Sequence, residues 1–72
     1  MEKLDLHGMR HHLAEATVIR KVEEFWDTNT EIEIITGNST GMKEIVKRVL
    51  VEYGLEYREG DVVNAGYIKV TV

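Results

Sequence analysis

The 72-residue sequence predicts a two-layer α/β sandwich with the element order β-α-β-α-β-β. Two observations carry this prediction. Segments that alternate like strands are separated by two segments with helical periodicity, and loops of small residues join the first two strands to the helices that follow. Because strand-helix-strand crossovers are right-handed, we expect a four-stranded mixed sheet with both helices on one face. The chain is short enough for a single core, so residues 1–72 form one domain.

The first strand is predicted at residues 3–7, where polar and apolar side chains alternate. The first helix is predicted from about residue 11 to residue 27. Trp26 falls at core spacing in this helix and is predicted to pack inside. The helix rests on an apolar stripe at three- and four-residue intervals, formed by Leu13, Ala14, Val18, Val22 and Phe25.

The second strand is predicted at residues 31–36, which are rich in β-branched side chains. The second helix is predicted at residues 42–53, and Gly54 stands where a helix C-terminal glycine belongs. Tyr53 also falls at core spacing in this helix. Residues 55–59 and 67–72 alternate and predict a hairpin with a wide loop. Periodicity leaves two places for the last strand, at the edge beside strand three or between strands two and three.

Composition excludes several classes of protein. The chain has no cysteine and therefore no disulfide or thiolate chemistry, and it has no apolar run long enough for a membrane span or a secretory leader. We expect a soluble, cytoplasmic protein. The net charge of −4 argues against unspecific coating of nucleic acid. It leaves room for a local cationic patch after the two small-residue loops, where the sequence places Arg10, His11, His12, Lys43, Lys47 and Arg48.

The first loop follows the segment Leu4-Asp5-Leu6-His7-Gly8. In a strand, Asp5 and His7 point to the same side, so a carboxylate at this spacing can orient an imidazole for acid or base catalysis. Alternatively, Asp5 can share a divalent metal such as Mg²⁺ or Mn²⁺, with His7 outside the metal's ligand set. A third interpretation is that the pair only holds the turn together.

The second loop follows the second strand and opens the second helix. Two parallel strands would bring both loops to one sheet edge, where helix N-termini and glycines favour an anion such as phosphate. A simpler interpretation is a strand-to-helix turn in which Ser39 or Thr40 caps the helix. The residues that we expect to bind phosphate or nucleic acid are Gly8, Arg10, His11, Thr36, Gly37, Asn38, Ser39, Thr40, Gly41 and Lys43.

Other chemistries lack the required pattern. The glycine spacing does not match a Walker phosphate loop, and Lys43 is not followed by Ser or Thr. His11 and His12 are adjacent, without helical spacing to a further ligand, so a zinc site is not expected. Tyr57 and Tyr67 are open to two interpretations, because an uncovered sheet face can display aromatic rings to nucleobases.

With both motifs located, the chain resembles the small MutS-related (Smr) domain family. That family carries an L-D-x-H-G segment at its first strand, present here as residues 4–8, and an H-G-x-G or T-G-x-G segment after its second strand. Here Thr36 and Gly37 match the start of the second motif, while Ser39 replaces its last glycine. Residues 65–70 before and within the last strand are also similar to the family outline.

The resemblance implies a fold similar to the C-terminal domain of bacterial translation initiation factor three, with strand order 1-2-4-3. It also implies nucleic-acid binding, with endonuclease activity on RNA or DNA in several family members. We therefore predict a nucleic-acid-binding domain with a candidate phosphodiester-cleaving site at Asp5 and His7. The alternative is a binding module for nucleic acid or a ribosome-like partner without chemistry, which the net negative charge and the Ser39 departure favour.

Overall fold

The computed structural model describes residues 2–60 and 66–72 and has the predicted element order. The Asn64-Ala65 part of the family outline and most of the hairpin loop lie outside the described residues. No helix in the described ranges is long and apolar enough to cross a membrane. The elements are β1 (Glu2–Asp5), α1 (His11–Glu24), β2 (Glu31–Ile35), α2 (Thr40–Glu52), β3 (Tyr57–Glu59) and β4 (Tyr67–Thr71).

The sheet has the order β1-β2-β4-β3, which the family resemblance implies. β1 runs parallel to β2, with Leu4 opposite Ile34, and β4 runs antiparallel to both β2 and β3. The last strand is thus inserted between the second and the third. Of the two places that periodicity left open, the structure selects the central one.

The core lies between one face of this sheet and the two helices. On β2 and β4, alternate residues are buried, whereas Glu33 and Lys69 lie on the opposite, open face and approach to 3.9 Å. The two helices pack against each other over the buried face. The buried apolar cluster includes Leu6, Ala14, Val18, Val22, Ile32, Ile34, Met42, Val46, Val49, Leu50, Ile68, Val70 and Val72.

Several predicted boundaries were wrong by a few residues. β1 ends at Asp5, so His7 lies in a turn and not in the strand. α1 ends at Glu24, because a turn with Asp27 in the left-handed region (φ 61°) follows it. The predictions that Leu13 and Trp26 are core residues were also wrong, since they are 51% and 49% exposed.

α2 begins two residues earlier than predicted, because Ser39 acts as its N-cap. The Ser39 hydroxyl accepts a hydrogen bond from the backbone N–H of Met42 at 3.2 Å. At the other end, Gly54 adopts φ 70°, and the N–H of Leu55 donates to the Leu50 carbonyl at 2.9 Å. This is the predicted glycine C-terminus of the helix.

Candidate functional site

Loop 1 (residues 6–10) and loop 2 (residues 36–39) lie side by side where the parallel strands β1 and β2 end. The hydrogen bonding between the two strands continues up to this edge, where the N–H of Leu6 donates to the Ile35 carbonyl at 2.8 Å. A cleft of about 440 Å³ opens between the loops and the first turns of the helices. It is lined by His7, Gly8, Met9, His11, Thr36, Asn38, Ser39 and Met42.

The imidazole rings of His7 and His11 lie directly over two glycines, Gly37 in loop 2 and Gly41 in the first turn of α2. A β-carbon added at Gly37 would come within 2.8 Å of His7 Cδ2, and one added at Gly41 within 2.8 Å of His11 Cε1. Gly37 also adopts φ 66°, which disfavours any side chain there. Gly37 and Gly41 therefore provide the space in which the rings of His7 and His11 lie.

The Asp5 carboxylate binds the backbone of the neighbouring turn. Its Oδ1 accepts a hydrogen bond from the His7 backbone N–H at 2.9 Å. The expectation that Asp5 orients the imidazole directly needs correction. Because His7 lies outside the strand, the Asp5 carboxylate contacts the main chain of His7. Asp5 thus shapes the turn that carries His7, and Gly37 bounds the ring from the other side.

Gly66, which was not among the predicted site residues, holds loop 2 in place. Its carbonyl accepts hydrogen bonds from the N–H groups of Thr36 and Gly37, at 2.9 and 3.0 Å. A β-carbon at Gly66 would lie only 3.4 Å from Gly37 Cα. Because these two N–H donors are already used, an anion at loop 2 has to bind donors further along, towards the start of α2. Gly66 directly precedes β4, so its support of loop 2 could have been predicted only from the pairing of β4 with β2.

The start of α1 presents backbone donors to the cleft. Its N-cap, Arg10, makes no side-chain capping bond, and neither helix carries an acidic residue in its first turn. The first N–H groups of a helix without a side-chain cap remain available to a ligand, and the helix macrodipole favours a negative one. The end of the molecule that carries the cleft therefore suits an anion.

The predicted cationic patch is only partly formed. Lys47 donates to Glu59 at 2.9 Å, which raises the pKa of Lys47 above its ordinary 10.5, and Arg48 pairs with Glu15 at 2.5 Å. These two cations are neutralised within the fold. Within residues 2–60 and 66–72, Arg10 and Lys43 have no carboxylate partner, so they retain their charge for a ligand.

The structure thus brings together part of the predicted set. The cleft lining includes the predicted His7, Gly8, His11, Thr36, Asn38 and Ser39. Gly37 and Gly41 lie beneath the imidazoles, while Asp5, Arg10, Thr40 and Lys43 lie beside the lining. Met9 and Met42 line the cleft without having been predicted, since apolar residues in these positions look like ordinary core side chains.

A metal site built by the protein alone has little support. Over the described part of the chain, no three His, Asp or Glu side chains are grouped closely enough to hold an ion. Asp5 lies just before loop 1 in the sequence, and its Oδ1 already accepts a hydrogen bond from the His7 N–H. A divalent ion here would take most of its ligands from a substrate and from water.

Comparison with known proteins supports the resemblance. No protein-family model and no curated protein sequence matches the chain. The crystal structure of the human small-MutS related domain does match, with a TM-score of 0.72 and 28% sequence identity. The match covers 97% of this chain and 99% of the human domain. By this structural match and by its L-D-x-H-G segment, the chain is similar in fold and motif to the small MutS-related (Smr) domain.

Proposed function

We propose that the chain binds nucleic acid through the phosphate backbone, at the cleft between loops 1 and 2. One observation carries this proposal: the N-termini of both long helices meet at one cleft, and no carboxylate lies in the first turn of either. Phosphate is the anionic group for which such a pair of helix ends is suited. The similarity to the human Smr domain agrees with nucleic acid as the source of that phosphate.

The charge distribution supports a small footprint. Arg10 at the end of loop 1 and Lys43 in the first turn of α2 are the cations beside the cleft that lack a carboxylate partner among the described residues. With the net charge of −4, extended contact along a nucleic acid would be repulsive elsewhere on the surface. We expect about two phosphate contacts, and hence a shallow dependence of log K on log salt, with a slope of about −1.4 for a single strand.

Binding is tested by fluorescence anisotropy with labelled single-stranded RNA, hairpin RNA and duplex DNA over a series of salt concentrations. The double substitution Arg10→Gln, Lys43→Gln should weaken binding and flatten the salt dependence. The double substitution Lys47→Gln, Arg48→Gln is the matched control, because it removes the same two charges from cations already paired with Glu59 and Glu15. Equal losses in both variants, or no binding by the parent, would contradict the proposal.

A second candidate function is cleavage of the bound phosphodiester. The observation that favours it is the position of His7, whose exposed imidazole lines the cleft and is held between the Asp5 turn and Gly37. In this mechanism the imidazole takes the proton from an attacking hydroxyl, either of water or of the RNA ribose. The new P–O bond forms as the bond to the leaving oxygen breaks, and that oxygen then takes a proton from the imidazolium or from water.

Cleavage is tested with the same labelled nucleic acids in Mg²⁺, Mn²⁺ or chelator. His7→Ala should abolish cleavage while binding persists, and Asp5→Ala should reduce cleavage less, because Asp5 acts through the backbone of the turn. His12→Ala is the matched control, since His12 is an exposed histidine near the start of α1 that does not line the cleft. A parent protein that binds every substrate and leaves it intact is a binding module.

A further inference from the structure

The end of the helix pair away from the cleft carries a half-exposed aromatic pair. Trp26 follows the C-terminus of α1, Tyr53 follows α2, and the two ring centroids lie 5.7 Å apart at an interplanar angle of 55°. Trp26 and Tyr53 line a shallow recess of about 390 Å³ together with Glu23. Trp26 also lines a smaller recess of about 170 Å³, together with Asp27, Leu55 and Val72.

The carboxylate of Glu23 is fixed within this recess. Its Oε2 accepts a hydrogen bond from the Tyr53 hydroxyl at 2.9 Å. The bond raises the pKa of Tyr53 above its ordinary 10.0. The recess therefore combines two tilted aromatic faces with one positioned negative charge, and both features attract a cation.

The surrounding charge is negative in a way that helix stability does not require. α1 ends with Glu23 and Glu24, of which Glu24 pairs with Lys21 of the same turn, and α2 ends with Glu52 and has no basic residue in its last turn. Carboxylates near helix C-termini oppose the macrodipole, which prefers cations there. Both the helix carbonyls and these carboxylates give this end a negative potential.

The chain's own cations leave the pair uncovered. In the described ranges, Lys21 lies over the Phe25 ring at 5.3 Å and Lys69 over the Tyr67 ring at 5.4 Å, whereas no cation lies over Trp26 or Tyr53. The Trp26 ring, which is 49% exposed, and the exposed Glu23 side chain thus remain open to a ligand.

We infer that the recess of Glu23, Trp26 and Tyr53, here called the cation recess, binds a lysine or arginine side chain of a basic protein segment. The charge complementarity described above selects such a partner over an acidic or purely apolar one. This site lies at the opposite end of the helices from the cleft, so it does not depend on the nucleic-acid proposal.

The test uses the single tryptophan of the chain as the reporter. A short oligolysine peptide should change Trp26 fluorescence in a saturable manner, whereas the same peptide with acetylated lysines should not. Labelled oligolysine then gives affinities for the variants by anisotropy. Glu23→Gln and Trp26→Leu should each weaken binding about tenfold, which corresponds to a desolvated cation–π contact or a positioned charge.

Glu24→Gln is the matched control, because it removes the same charge one residue away, from a side chain that pairs with Lys21 at 3.6 Å. Its affinity should stay close to that of the parent. Equal weakening by Glu23→Gln and Glu24→Gln would mean diffuse charge attraction and would overturn the inference. Absence of binding would also overturn it. A Trp26 signal that depends on protein concentration alone would overturn it too, because that result would indicate that a second copy of the chain occupies the recess. Circular dichroism of each variant checks that it is folded.

Discussion

The two ends of the helix pair differ in charge, in side chains and in backbone chemistry. At the cleft end, formed by loops 1 and 2 and the N-termini of α1 and α2, imidazoles lie on glycines and two cations lack partners among the described residues. At the aromatic end, formed by the cation recess and the helix C-termini, carboxylates surround two tilted rings. Because both helices run the same way from one sheet edge, their dipoles add and give the ends opposite signs. A 72-residue domain can thus offer two unlike binding surfaces without a second core.

The largest expected effect comes from shortening a core side chain near each end. Leu6 and Leu50 are both fully buried, Leu6 beside loop 1 and Leu50 near the end of α2. Leu6→Ala and Leu50→Ala should each lower the free energy of unfolding by roughly 2–5 kcal/mol, measured by urea denaturation. After correction for the folded fraction, only Leu6→Ala should weaken nucleic-acid binding. Equal losses of affinity would show that the two ends are not independent.

A smaller effect is expected from substitutions at two glycines, which separate the cost of backbone strain from the effect of a contact with His7. Gly37 and Gly54 both adopt positive φ, 66° and 70°, but only Gly37 lies against a histidine. Gly37→Ala and Gly54→Ala should therefore cost about 1 kcal/mol of unfolding free energy each. Nucleic-acid affinity should fall several-fold in Gly37→Ala alone, because the new methyl group displaces the His7 ring. A similar fall in Gly54→Ala would contradict the placement of the site.

Gly41→Ala should separate binding from stability. Gly41 lies in the first turn of α2, and a β-carbon there would meet only the His11 ring within 3 Å. Since alanine favours helix over glycine, the unfolding free energy should stay the same or rise by up to about 1 kcal/mol. Anisotropy should nevertheless show weaker nucleic-acid binding. Unchanged nucleic-acid binding would mean that the His11 ring moves aside without consequence.

The smallest effect is a pH dependence at the aromatic end. The hydrogen bond to Glu23 raises the pKa of Tyr53 in the folded state, so the folded protein holds this proton more tightly than the unfolded chain. The resulting stability is present below pH 10.0 and is lost as the pH rises through the folded-state pKa. Tyr53→Phe should therefore lose less stability than the parent between neutral and alkaline pH, in thermal melts followed by circular dichroism. An identical pH profile would contradict the bond.

Much of the fold could be predicted because local patterns specify it. The spacing of apolar residues in α2 and the position of Gly54 located that helix to within two residues at its start and one at its end. Strand order could not be derived from periodicity, because the pairing of β4 with β2 joins residues far apart in the chain. The family resemblance supplied it. Trp26 was misjudged for a related reason, since the periodicity continued past Glu24 whereas the helix did not.

The candidate site was predictable in its location and less so in its contacts. Two glycine loops after two parallel strands indicated a shared edge, and the structure has the loops adjacent there. The contact of Asp5 with the His7 backbone depends on where β1 ends, to within two residues. The support of loop 2 by the Gly66 carbonyl depends on tertiary placement of β4. Neither has a signature in local sequence.

The central place of β4 bears on how the domain is made. A ribosome delivers β1, β2 and β3 before β4, so during synthesis β2 has a partner on one side only. Until β4 arrives, the backbone groups along one edge of β2 are unpaired and face either solvent or another chain. A nascent chain that pauses after β3 is then the species most exposed to aggregation, and pairing of β4 ends that exposure.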